Sequence, residues 1–91
     1  MAICVYFPTE GMTQDKYDQV IAELEAAGAG APAGRSYHVA FMMGDGLQVV
    51  DVWDSQADLD AFGATLMPIL SSHGIKEGEP SAGEVHNIIV G

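Results

Sequence analysis

His38 and Asp51 stand in two successive apolar runs of this chain, and Trp53 follows the acid by two positions. Histidine beside a carboxylate is the pairing that general-base chemistry uses. The acid fixes the imidazole tautomer and stabilises the cation formed when the ring takes a proton. Asp51 is conspicuous because Val49-Val50-Asp51-Val52-Trp53 otherwise reads as a buried strand. A carboxylate inside such a strand is costly unless it is paired, protonated or turned toward a wet cavity. Period-two alternation puts Trp53 on the same face as Asp51. Two readings follow: a base for a phenol or enol substrate beside an aromatic wall, or a satisfied polar cluster that fixes the sheet or an interface.

Whether the pair meets depends on the turn at Gly44-Asp45-Gly46. A two-residue Asp45-Gly46 turn sets Ala40 opposite Asp51 and His38 opposite Trp53, so His38 and Asp51 become diagonal neighbours within reach. A three-residue turn sets Asp51 opposite Val39 and sends His38 to the other face. The Asp-Gly preference of tight hairpin turns favours the first.

The elements that must position these residues follow from patterning. Ala2–Phe7 is an apolar run closed by Pro8 and reads as a strand. Thr13 caps a helix whose Tyr17, Val20, Ile21 and Leu24 form one apolar stripe, stopped at Gly28. Gly28 to Gly34 is a small-residue connection without the context of a phosphate loop. Arg35–Met43 and Leu47–Trp53 are the hairpin strands. Ser55 opens a second helix through a capping box, with Leu59, Phe62, Gly63, Leu66 and Leu70 inward; Pro68 is expected to end or kink it near Met67, with a further turn running to Gly74. Ile75–Gly83 reads as a mobile loop and Val85–Val90 as the last strand.

The order β-α-β-β-α-β predicts an α+β, ferredoxin-like fold: a four-stranded antiparallel sheet with two helices on one face. All 91 residues form one domain, 1–91. Strand one is apolar on both faces, so the face without helices calls for a partner, and a homodimer through sheet faces is expected.

Thirteen acids against three bases (Lys16, Arg35, Lys76) give a formal charge of −10, which argues against nucleic acid and anionic membranes as partners. The single cysteine, Cys4, excludes an internal disulfide and reads as a small buried hydrophobe in strand one. No histidine pair has ligand spacing, so no metal site is expected. The first residues lack the basic region and length of a signal peptide, which makes a cytoplasmic location the expectation.

Gly34-Arg35-Ser36-Tyr37-His38-Val39-Ala40, Val49–Ser55, Leu66-Met67-Pro68 and Val85-His86-Asn87-Ile88-Ile89-Val90 together resemble the dimeric α+β barrel superfamily, in particular the antibiotic-biosynthesis-monooxygenase-like proteins. That resemblance implies a barrel-forming dimer with a pocket between each sheet and its helices. It also implies a cofactor-independent monooxygenase acting on a small aromatic or polyketide-like molecule, with no tightly bound cofactor. His38 and Asp51 are then the acid–base pair; Trp53, Phe62, Tyr17 and Leu66 are pocket walls, and Asn87 is a polar anchor. One alternative is a barrel that binds a small apolar or aromatic ligand, or only dimerises, without turnover. The other is haem binding. The haem-degrading branch has an asparagine in strand one, a tryptophan in the second helix and a histidine near its end. This chain has no such asparagine, Phe62 near the tryptophan position and His73 near the histidine position.

Overall fold

The computed structural model describes residues 1–44 and 46–91. Strand β1 (Ile3–Phe7) is followed by a short β2 (Thr9–Glu10), helix α1 (Gln14–Ala26), the hairpin strands β3 (Arg35–Met43) and β4 (Gly46–Trp53), helix α2 (Gln56–Ser72), and short strands β5 (Lys76–Glu77) and β6 (Ser81–Glu84). The main sheet has the order β3-β4-β1-β6, with every neighbouring pair antiparallel. β2 and β5 pair separately. This is the α+β, ferredoxin-like arrangement that the element order predicts.

Both helices begin at a hydroxyl cap and stop just before a glycine. The Thr13 hydroxyl accepts from the Lys16 amide, and the Ser55 hydroxyl accepts from Asp58. Each satisfies one of the donors that a helix start leaves unpaired. Gly28 (φ 76°) and Gly74 (φ 68°) take the left-handed conformation after the last turn. Helix α2 runs through Pro68 rather than ending near Met67. The proline removes one backbone donor, while Phe62 and Leu70 on either side of it are both buried in the core.

Strand β4 alternates between buried and half-exposed positions, with Leu47, Val49, Asp51 and Trp53 inward. Val5 of β1 and Val20, Leu24, Phe62 and Leu70 of the helices join Leu47 and Trp53 in the core. Both helices therefore cover the face that carries Asp51. The opposite face is left open: Tyr37 is 43% exposed, Val39 54% and Met43 51%. Cys4 also lies open on that face and is not a buried hydrophobe. Of its two neighbours across the ladder, Val52 and Gly83, the second has no side chain to cover it.

The C-terminal region departs from the sequence reading. Ile75–Gly83 is not an unstructured loop, because it contains β5 and most of β6. Val85–Val90 is not a strand. Pairing of β5 with β2 and a bond from the Gly78 amide to the Pro8 carbonyl hold the chain beside the end of β1. From there it returns along β1 starting at Ser81 opposite Tyr6. By Val85, whose amide bonds the Ala2 carbonyl, the strand it follows has run out. The apolar tail overshoots the sheet, and Ile89 is 80% exposed. Among the described residues, no helix is long and apolar enough to cross a membrane.

Candidate active site

The hairpin pairs His38 directly with Asp51, Ala40 with Val49 and Met43 with Gly46. The two registers considered from sequence are therefore both displaced. Asp45, on which the turn reading rests, lies outside the described residues. The observed register differs from the two-residue alternative by two positions, an even step that preserves facing. His38, Asp51 and Trp53 thus share one face, and His38 is a direct rather than diagonal neighbour of the acid.

Asp51 is 3% exposed, the one buried charged side chain among the described residues. Both of its oxygens are occupied. His38 Nδ1–H donates to Oδ1 at 2.6 Å, and Trp53 Nε1–H donates to Oδ2 at 3.2 Å. With Nδ1 serving the carboxylate, the neutral ring presents Nε2 as an acceptor, and the Tyr17 hydroxyl donates to it at 2.7 Å. The Tyr17 and His38 rings lie within 7° of parallel. α1, β3 and β4 thereby contribute one residue each to a continuous Tyr17–His38–Asp51 chain, and Trp53 braces its far end.

This chain borders a cavity of about 310 Å³ between the sheet and the two helices. Tyr17, His38, Asp51, Phe62 and Leu66 line it, together with Phe7, Val20, Val49 and Leu59. Trp53 is fully buried and does not reach the cavity; it stands behind the wall, 5.3 Å from the Phe62 ring between centroids. Burial raises the Tyr17 phenol above its ordinary value of 10.0; nearby Arg35 opposes this, while Asp51 and Asp18 add to it. A phenol held neutral can donate to Nε2 and can pass a proton along the chain.

Other residues singled out from sequence lie elsewhere. Asn87 is in the exposed tail beyond β6 and does not line the cavity, because that tail has passed the end of β1. His86 is exposed in the same segment. His73 caps α2 and bonds Glu23 of α1 through Nε2 at 2.6 Å, a tie between helices away from the cavity lining. The haem reading needs that histidine to face the pocket. Among the described residues no cluster of three or more histidine, cysteine or acidic side chains has the geometry to hold a metal ion. Sequence reasoning missed Arg35, which also lines the cavity. Simple alternation places it on the open face, and the irregularity that redirects it has no clear sequence signal.

No protein-family model matches the chain. No curated protein matches it by sequence. Solved structures do match in shape. One is SnoaB, a cofactor-independent oxygenase from Streptomyces nogalater, at 16% identity and TM-score 0.61, covering 97% of this chain and 94% of that one. Another is a proposed antibiotic biosynthesis monooxygenase from Chloroflexus aurantiacus, at 18% identity and TM-score 0.62, covering 98% of this chain and 99% of that one. A third is a proposed monooxygenase from Shewanella loihica, at 19% identity and TM-score 0.58, covering 96% of each chain. At these identities the likeness is one of architecture: the chain has the fold of the antibiotic-biosynthesis-monooxygenase-like proteins over nearly its whole length.

Proposed function

We propose that this protein binds a small aromatic or polyketide-like molecule between its sheet and helices and oxygenates it without a tightly bound cofactor. The observation that carries the reading is the Tyr17–His38–Asp51 chain at the wall of a largely apolar cavity. A ligand phenol or enol lying against Tyr17 loses its proton to His38, directly or through the Tyr17 hydroxyl. Asp51 stabilises the resulting imidazolium. The electron-rich anion then reacts with dioxygen itself to form a carbon-bound peroxide, which takes back the proton held by His38; loss of the second hydrogen from the same carbon breaks the O–O bond, leaving a ketone oxygen on the substrate and releasing water. The likeness to SnoaB, itself a cofactor-independent oxygenase, is consistent with this chemistry.

The open sheet face supports a homodimer as the working form. Tyr37, Val39 and Met43 leave apolar side chains exposed on that face, the kind of surface that association covers. A second copy packed on it completes a barrel whose two cavities stay on the helical sides.

A second reading rests on the saturation of the polar cluster. Every polar atom of His38 and Asp51 is already bonded within the protein, as in a network that only fixes the sheet. The protein is then a ligand-binding barrel without turnover. Oxygen consumption with an anthrone-type phenol, compared between wild type and His38→Ala, separates the two. Turnover that falls by about 10²-fold or more in the variant supports the base. Equal rates in both proteins would sink the catalytic role of His38.

A further inference from the structure

Strand alternation ought to send Arg35 outward. Tyr37 and Val39 lie on the open face, and a residue two positions earlier belongs with them. The β3–β4 ladder slips at this point: Tyr37 pairs with Val52, but Arg35 pairs with Trp53, so Ser36 is an extra residue. A bulge of this kind re-aims the side chain beside it. Here it turns Arg35 to the Trp53 face, where the guanidinium lies 5.8 Å from the centre of the Phe62 ring and lines the cavity. Ser36 is turned out, its hydroxyl donating to Asp54.

The redirected cation lacks the partner that the composition would readily supply. The chain carries thirteen acids, yet among the described residues no carboxylate forms an ion pair with Arg35. Its side chain makes one hydrogen bond, from Nη2 to the Gly30 carbonyl at 3.2 Å. The acids of the cavity are engaged elsewhere. Asp51 serves His38 and Trp53, and Asp60 accepts from Gln56 at 2.9 Å. Most of the guanidinium fork is therefore left without a protein acceptor, at the edge of a cavity whose other charged or amide side chains, His38, Asp51, Gln56 and Asp60, bond within the protein and whose remaining wall is largely aliphatic and aromatic. A planar fork in that setting matches a planar oxyanion attached to an apolar body.

We infer that Arg35 is an anion subsite of this cavity, which takes a flat apolar ligand bearing one oxyanion: a carboxylate, or the phenolate or enolate oxygen of a ring ketone. The inference rests on the reading of the cavity as a small-molecule site and adds the charge its ligand carries. In a protein of formal charge −10, an anion enters against the overall field, so a local cation at the site is what makes such a ligand acceptable.

Calorimetric titration of the full chain with 2-naphthoate and with its neutral isostere 2-naphthamide tests this. Wild type is expected to bind the carboxylate on the order of tenfold more tightly than the amide. Arg35→Gln is expected to lose that preference while binding the amide as wild type does, which also shows that its cavity is intact. Equal affinities of both probes for wild type overturn the subsite and leave the cavity reading standing. A preference that survives Arg35→Gln overturns it as well. Failure of both probes to bind wild type overturns the subsite together with the cavity reading.

Discussion

The Tyr17 hydroxyl lies 2.7 Å from His38 Nε2, so a phenol supplied by a different element stands beside the histidine–aspartate pair on the cavity wall. The relationship joins α1 to β3 and gives Tyr17 a part in protonation as well as in packing. Burial holds its phenol neutral past the ordinary tyrosine range, so the unfolded chain ionises first as pH rises. The unfolded state then binds fewer protons than the native one, and stability falls above pH 10.0. Tyr17→Phe should remove that component of the fall. Urea unfolding of both proteins at neutral and strongly alkaline pH checks it; at neutral pH the variant should lose only about 0.5–1.5 kcal/mol for the missing hydrogen bond.

Asp51→Asn keeps the shape of the site but offers one oxygen to two donors. Trp53 Nε1–H can keep that oxygen, but His38 Nδ1 then faces an NH2 donor and is served only if the ring carries its proton on Nε2, which takes the acceptor away from the Tyr17 hydroxyl. A loss of about 1–3 kcal/mol is expected, because two bonds to a buried carboxylate are exchanged for weaker neutral ones. Denaturant unfolding followed by emission of the single tryptophan, Trp53, measures it. A change within error would show that the carboxylate contributes little to the fold.

Val39→Glu places a charge on the open sheet face without touching the cavity lining. Light scattering of wild type should give twice 9.6 kDa, and the variant should give the mass of one chain. A wild type that runs as a monomer at micromolar concentration removes the dimer.

Gly34 sits at φ 87°, and a Cβ there would run into the Asp58 side chain at the start of α2. Gly34→Ala is therefore expected to destabilise by at least about 1–2 kcal/mol from the left-handed backbone alone. It should also disturb the bond between Asp58 and the Ser55 hydroxyl. Thermal unfolding measures the first effect, and an amide spectrum of the α2 start measures the second.

The sequence was most legible where patterning and capping act locally. The alternation from Leu47 to Trp53, the Thr13 and Ser55 caps and the glycine stops each depend on neighbours in the chain, and each appears in the structure at or near its expected place. The facing of His38, Asp51 and Trp53 was legible for a stronger reason: an even register error leaves every side chain on its proper face. The register itself was not, since it depends on how the turn is built.

Legibility failed where a distant partner decides. Val85–Val90 has the composition of a strand, but a strand needs an edge, and Ser81–Glu84 had already used the only length of β1 available. Propensity lost to geometry there. The inward turn of Arg35 was hidden for a similar reason. It follows from a ladder slip between β3 and β4, and neither strand announces it alone.

That slip makes Ser36 the one residue of this stretch that the β3–β4 ladder does not count. Deleting it sets Arg35 directly beside Tyr37, and plain alternation then keeps the two on opposite faces: Arg35 stays opposite Trp53 on the cavity side, and Tyr37 stays on the open face. A single-codon deletion of Ser36 is thus expected to leave the preference for 2-naphthoate over 2-naphthamide in place, measurable by calorimetry, while removing the hydroxyl that bonds Asp54. Loss of the preference would show that the bulge itself, rather than residue parity, aims the guanidinium. The charge this cavity offers a ligand is, in this fold, a matter of odd and even in the count of paired residues.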